Sequence, residues 1–550
     1  MIRHLLHQSK FAKASTRPVL AFLAAGLISL PLLAIVWRTD WGASEAWDHY
    51  REFLLADAIG KTLQLVLLTG LIAGAIGVAL AIIMVFFDFP GRKVLSWLLY
   101  IPLALPPYLA AYVYSGLLGY TGFVQRALRA LEIPVQPASL NIMTLPGAAL
   151  IYSLTLFPYV YGPVSAFLSR HSASLVESAR VLGLGPGAIV WRVILPLIRL
   201  PLTGGLMLLM MEVISDYGVV QYFNLSTVSS LIFRSWFGMG ETTVASRLSL
   251  GLMVSVLFIL VLESALRGRR KFHTGSGKNR PVEPVKLPVF WQGIVIGLIG
   301  IILVLAIVGP VIQLIHWAIL SWPRLQSLQL GIMVRNSVGI SLLAGLIIIL
   351  LSLFLAHTQR FLHGTAHQVL GKLVQLGYSM PGAIIAIGVI SLFVTLDQSL
   401  QPLYQRILAE PRSLVLSTSL VMLIFAMVVR YLAVGFNPIQ SGFAKIGSKF
   451  SEAAQTLGRS KFQALLQIEL PLIRSSLLSG LILAYIDISK ELPLTLLLRP
   501  FNFNTLASKA YEYANDERIH QAAIPALVLI SINLAGLWLL IRLQKKQNPR

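Results

Sequence analysis

The chain has 550 residues, of which 56% are hydrophobic and only 12% charged. A water-soluble domain carries about 25% charged residues, so most of this chain is surrounded by lipid rather than water. The 44 Lys and Arg against 22 Asp and Glu give a net charge of +22. No stacking platform is interleaved with the basic segments, which argues against nucleic acid and for cationic loops on one face of a membrane. The absence of cysteine excludes disulfides, zinc–thiolate sites and iron–sulfur clusters.

Apolar runs recur along the whole chain. The first, Val19 to Trp37, follows Arg3, Lys10, Lys13 and Arg17. It is longer than a signal-peptide core and no small-residue cleavage site follows, so it reads as a retained helix. Further helices are expected near 62–87, 95–118, 144–168, 201–222 and 246–266. A second set is expected near 291–320, 336–357, 374–396, 413–435, 474–497 and 521–541. Each is close to the ~20 residues that cross a hydrocarbon core. With both termini in the cytoplasm, the cytoplasmic segments collect Arg92, Lys93, Arg170, Arg180, Arg192 and Arg199, then Arg360, Lys372, Arg430, Lys445 and Lys449, and the C-terminal Arg542, Lys545, Lys546 and Arg550. The opposite side takes Asp40, Glu45, Asp48, Glu52 and Asp57. That asymmetry is the positive-inside pattern.

The chain contains an internal repeat. Glu177-Ser-Ala-x-x-x-Gly183 matches Glu452-Ala-Ala-x-x-x-Gly458, an offset of 275 (452 against 177). At the same offset Leu195-Pro196 matches Leu470-Pro471, Pro106 matches Pro381, Gly70 matches Gly345 and Gly205 matches Gly480. Two parallel six-helix halves follow, over 1–266 and 291–550. The basic, Gly- and Pro-containing stretch 267–290 is a cytoplasmic tether between them. The expected fold is all-α, about twelve transmembrane helices in two repeats.

Two loops between the fourth and fifth helix of each half carry the strongest motif. They read ESARVLGLGPGAIVWRVILP (177–196) and EAAQTLGRSKFQALLQIELP (452–471). Small residues permit close approach of another surface, and the glycine suits a sharp helix end. Leu-Pro steers the chain toward the next span, and the acid near a helix start is favoured by the dipole. Each loop resembles the EAA loop of ABC importer permeases, whose fold is MetI-like. That resemblance implies ATPase-coupling roles for Glu177, Ser178, Ala179, Gly183, Leu195 and Pro196, and for Glu452, Ala453, Ala454, Gly458, Leu470 and Pro471. It also implies two copies of a separate ABC ATPase subunit. No Walker A pattern occurs; GSGKN (275–279) lacks a preceding strand. The chain is therefore expected to be a transport subunit and not an enzyme. It would have no cofactor of its own, and its partner would use the ATP.

Charged residues inside apolar runs mark function or a partner. Glu212 and Asp216 stand four apart, as do Asp487 and Glu491 with Lys490 beside them, and the acids pair at the repeat offset. They are candidates to line a translocation path between the halves. The competing reading pairs them with Lys490 or hydrates them near the outer surface. No stable metal site is expected. His363 and His367 read as a solvated surface pair, and Gly70 with Gly74 as a packing stripe. The tyrosines between Tyr108 and Tyr161 read as belt or packing residues. The segments 215–241 and 490–517 share a Phe-Asn-x-x-Thr-like core, the second with about three extra residues. Both are similar to fused ferric-iron permeases of the bacterial inner membrane. That likeness implies a periplasmic ferric-binding protein as partner and ferric iron as cargo. Fused thiamine permeases share the architecture, and an ion-gradient-driven carrier is the rival of another class.

Overall fold

The computed structural model describes residues 16–134, 136–171, 173–267, 283–323, 329–407, 414–447 and 449–547. Arg3, Lys10, Lys13, Arg550 and the tether's 268–282, with its GSGKN run, lie outside the described residues. Among the described residues, ten helices are long and apolar enough to cross a membrane, and two sharply bent helix pairs bring the number to 12 if each is one span. The bends are 89° between Arg92–Ala104 and Pro107–Ala130, and 67° between Gly187–Leu197 and Arg199–Ser215.

The breaks fall where proline dictates. The helix expected over 95–118 is interrupted at Leu105 and Pro106, both extended. The one expected over 374–396 ends at Ser379, and Met380 is extended before Pro381. A residue preceding proline is pushed out of the helical region. Both prolines then accept the first turn of the next helix, from Leu109 N–H at 3.0 Å and Ile384 N–H at 3.1 Å. Leu109 and Ile384 stand at the same repeat offset. The run 144–168 divides at Phe157, into Leu145–Leu156 and Pro158–His171, although Phe157 itself keeps a helical backbone. The fourth span of the second half lies over Leu420–Ile446, well beyond the expected 413–435.

Close helix contact is set by glycine at matching points of the two halves. A Cβ on Gly205 would stand 2.7 Å from the Tyr159 carbonyl oxygen, and one on Gly480 would stand 3.1 Å from the Gly435 carbonyl. Gly70 and Gly74 do pack a helix, against Met210 and Leu206. The halves interlock. Gly388 of the second half lies against the Pro31 backbone in the first helix, and Gly116 of the first half lies under Trp317 of the second. Each half's opening helix thus packs on the other half's third span.

One feature departs from an all-helical reading. Phe87–Asp88 pairs in parallel with Val285–Lys286, and Leu287 N–H donates to the Asp88 carbonyl at 3.2 Å. Pro90, Pro284 and Pro288 keep both stretches out of helix. The pair fastens the exit of the tether to the end of the helix Leu55–Phe86.

Gly205→Val is expected to lower stability by about 1–3 kcal/mol through overpacking. Gly251→Val, where a Cβ meets nothing within 4 Å, is the lipid-facing control. Thermal unfolding in detergent compares them, and equal midpoints would remove the close-packing argument.

Candidate functional site

The two EAA-like loops form matched elbows. The first runs through the helix Ala173–Val181 and the second through Lys449–Thr456. Each helix ends on the glycine of its motif, with φ of +82° at Gly183 and +81° at Gly458. Gly183 N–H donates to Arg180 O at 2.9 Å and Leu184 N–H to Ala179 O at 3.1 Å. Gly458 N–H and Arg459 N–H repeat this with Gln455 O and Ala454 O, both at 3.0 Å. This is the double hydrogen bond of a helix closed by a left-handed residue.

The motif residues divide by orientation. Glu177, Ser178, Glu452 and Ala453 are exposed, whereas Ala179 and Ala454 pack inward. Only the first small residue of each pair therefore presents a surface. Glu452 lies in the first turn of its helix, but Glu177 does not, so the dipole argument holds for the second elbow alone. Leu182 and Leu457, at equivalent positions, are 80% and 83% exposed, and Trp191 and Phe462 are exposed nearby. Apolar side chains this bare at a helix end fit a partner's groove. Leu195 and Pro196 lie in the last turn of the helix Gly187–Leu197, and Leu470 and Pro471 lie within the helix Phe462–Ser489, each pair just after a π-helical turn, Val190–Ile194 and Leu465–Glu469.

The intramembrane charges converge between the halves. Glu212, Asp216, Lys490 and Glu491 line a cavity of about 50 Å³ together with Tyr108 and Arg430. A second cavity of about 20 Å³ adjoins it, lined by Glu212, Asp487, Lys490, Arg430, Tyr159 and Tyr378. These volumes admit only water-sized occupants.

Asp216 sits just past the end of the helix Arg199–Ser215. Its carboxylate accepts from Tyr152 Oη at 2.6 Å and Val219 N–H at 2.8 Å. Glu491 mirrors it, accepting from Tyr431 Oη and from Leu494 N–H at 3.0 Å. Val219 and Leu494 are repeat equivalents. Asp487 pairs with Lys490 at 3.0 Å and Glu491 with Arg430 at 3.6 Å. The pairing with Lys490 thus holds for Asp487 alone. The carboxylate of Glu212 has no hydrogen bond or ion pair among the described residues. Among the described residues, Arg430 Nη1 and the Tyr108 and Tyr112 hydroxyls are buried without a hydrogen-bond partner. Four carboxylates face two cations, a formal excess of two negative charges. Among the described residues no three metal-ligating side chains converge on one point.

Arg430 corrects the sequence reading, which put it in a cytoplasmic segment. It is buried within the helix Leu420–Ile446. A lone arginine inside LVMLIFAMVVRYLAVGF is the signal that could have placed it. Tyr108, Tyr152 and Tyr159 belong to the site, while Tyr120 is exposed. His363 and His367 are exposed, and His367 Nδ1 lies 3.0 Å from the Gln359 carbonyl oxygen.

The segments 215–241 and 490–517 fold alike. Asn224 and Asn502 both have positive φ, +53° and +61°. Thr227 with Ser230 and Thr505 with Ser508 form reciprocal caps. Thr62 accepts from Val228 N–H at 3.0 Å, and Ser337 accepts from Leu506 N–H at 2.7 Å.

Breaking a buried pair by removing one partner costs about 3–5 kcal/mol. Arg430→Met and Glu491→Gln are each expected to destabilise by that order, and the double variant by less than their sum. A thermal-melt double-mutant cycle reads this, and strict additivity would show that the two groups do not interact.

The residues 72–269 and 348–549 each match the family model described as binding-protein-dependent transport system inner membrane component. The Fe(3+)-transport system permease protein FbpB 2 of Haemophilus influenzae is 24% identical over 519 residues, 93% of this chain and 95% of that protein. The sulfate transport system permease protein CysT of Escherichia coli is 27% identical over 198 residues, 35% of this chain and 68% of that one. The putative 2-aminoethylphosphonate transport system permease protein PhnU of Salmonella choleraesuis is 24% identical over 252 residues, 44% of this chain and 87% of that one. With both halves matched, this chain belongs to the family of binding-protein-dependent transport system inner membrane components, as a multi-pass ABC permease built of two repeats.

Proposed function

We propose that this permease passes ferric iron across the bacterial inner membrane. In this reading a periplasmic ferric-binding protein delivers the ion, and two ATPase subunits each take one elbow. Both termini face the cytoplasm. The halves 1–266 and 291–550 rock about the cavity between them, with 267–290 as tether.

The observation that carries the cargo is the charge of the cavity. Glu212, Asp216, Asp487 and Glu491 outnumber Arg430 and Lys490, so an anionic cargo meets net repulsion and a cation net attraction. Carboxylate and phenol oxygens are hard donors, suited to a hard cation rather than to a large aromatic solute. The ferric permease matched here is alike over 93% of this chain, whereas the sulfate permease covers 35% of it. Without three convergent ligands, the oxygens act as a graded lane and not a cage, which favours release over retention.

The test is uptake of radio-iron and of thiamine in a deletion strain carrying the permease. Iron uptake restored with no change in thiamine is expected; restoration of thiamine alone would refute the cargo. Glu212→Gln with Asp216→Asn is expected to lower iron uptake about tenfold, the lower end of what a charged cleft gives by focusing a cation. Full uptake in that double variant would remove these acids from the path.

A further inference from the structure

The two elbows are alike in backbone but held to the bundle by different physics. The second elbow leaves the helix Leu420–Ile446 at Gly447, whose φ is +64°. It rejoins the bundle at Glu469, the last residue before Leu470-Pro471. One guanidinium spans these two points. Arg360 Nη1 lies 2.8 Å from Glu469 Oε1, and Arg360 Nη2 donates to the Gly447 carbonyl at 2.5 Å. The Glu469 side chain is 1% exposed and that of Arg360 16%. His357 Nε2 stands 3.6 Å from the other carboxylate oxygen, and the Phe443 ring lies 4.8 Å from the guanidinium. Arg360 and His357 close the second span of this half, the helix Leu330–Gln359.

The first half lacks the residues that make this fork. At the 275 offset Val85 stands for Arg360, Ile82 for His357 and Ile194 for Glu469. Val85 and Ile194 are both buried, and neither side chain can form a charged fork. Apolar contacts are non-directional, whereas a charged fork fixes both distance and angle.

We propose that Arg360 and Glu469 are positioning residues that clamp the second elbow, so that motion imposed there by the ATPase reaches the second span as a rigid displacement. The first elbow, lacking the clamp, yields more under the same load. The two ATPase contacts are therefore unequal, and the second one sets the efficiency of transport. This rests on the reading that the elbows dock the ATPase.

The chain has no cysteine, so one introduced by Leu457→Cys reports docking by crosslinking to the ATPase subunit. The measurement uses the full permease in proteoliposomes with its ATPase and loaded binding protein, and reads solute moved per ATP hydrolysed. The solute is the one identified by uptake. The variant carrying Arg360→Val and Glu469→Ile installs the first half's apolar pair and removes both charges of the fork together. It is expected to crosslink and to hydrolyse ATP, but to move roughly 2- to 30-fold less solute per ATP, the span of energetic coupling through such networks. Arg360→Lys keeps the charge but cannot fork to both ends, and is expected to fall between. Unchanged solute per ATP in the apolar pair, with crosslinking intact, overturns the clamp alone. Should either variant fold poorly, the other reads the same ratio. Absence of any crosslink in the otherwise unaltered Leu457→Cys protein overturns docking, and the clamp with it.

Discussion

Everything in this molecule is arranged around charge held inside an apolar bundle. Moving an ion out of water costs several kcal/mol even after relaxation. Arg430 and Glu491, 3.6 Å apart, recover roughly 4–5 kcal/mol at an effective dielectric near 20. With two ions to desolvate, that attraction does not exceed the cost, so the pair is not there for stability. It lets the bundle keep carboxylates at the join between its halves. The hydrogen bonds from Tyr431 and Leu494 to Glu491, and from Tyr152 and Val219 to Asp216, serve the same end. They supply in protein what water would supply outside.

That constraint explains why the helices break where they do. A carboxylate can accept a backbone N–H only where the helix leaves that N–H unused, and the first turn of a helix does so. Asp216 and Glu491 each sit just before a short helix, Gly218–Tyr222 and Pro493–Leu498. The third residue on, Val219 or Leu494, turns its free N–H back to the acid. Irregular backbone at membrane depth is tolerated where it lines a cavity. The interruption and the charge therefore require each other.

Much of this was legible in the sequence because it is periodic. The 275-residue offset exposed the two halves, the elbows and the paired acids, and Gly183 and Gly458 proved to be left-handed helix ends for the reason their spacing suggested. What escaped was what the repeat does not share. Arg430 has Thr155 as its equivalent, and the apolar run fades five residues beyond it, at Gly435, though the helix continues to Ile446. Arg360 and Glu469 stand where the first half has valine and isoleucine, so comparing the halves gave no hint of them. The strand pair at Phe87 and Val285 depends on a meeting of chain segments nearly two hundred residues apart, which no local pattern encodes. Proline breaks at Pro106 and Pro381 were visible as residues, but hydropathy averaged across them.

Fusion of the halves gives these asymmetries their physical licence. In a twofold dimer of identical subunits each residue appears twice, so a cation added to one wall is added to the other. Two copies each of Arg430 and Lys490 would cancel the four carboxylates and erase the excess negative charge. A single chain escapes that bind. It places both cations on the second half, leaves Glu212 on the first without an ion pair among the described residues, and keeps the cavity anionic. The same freedom allows one elbow a charged fork and the other an apolar seat. The covalent tether, fastened at Val285–Lys286 to the first half, guarantees that each assembly receives one half of each kind. Division of labour needs only two halves that differ in sequence, and joining them fixes the two kinds at one to one in every copy.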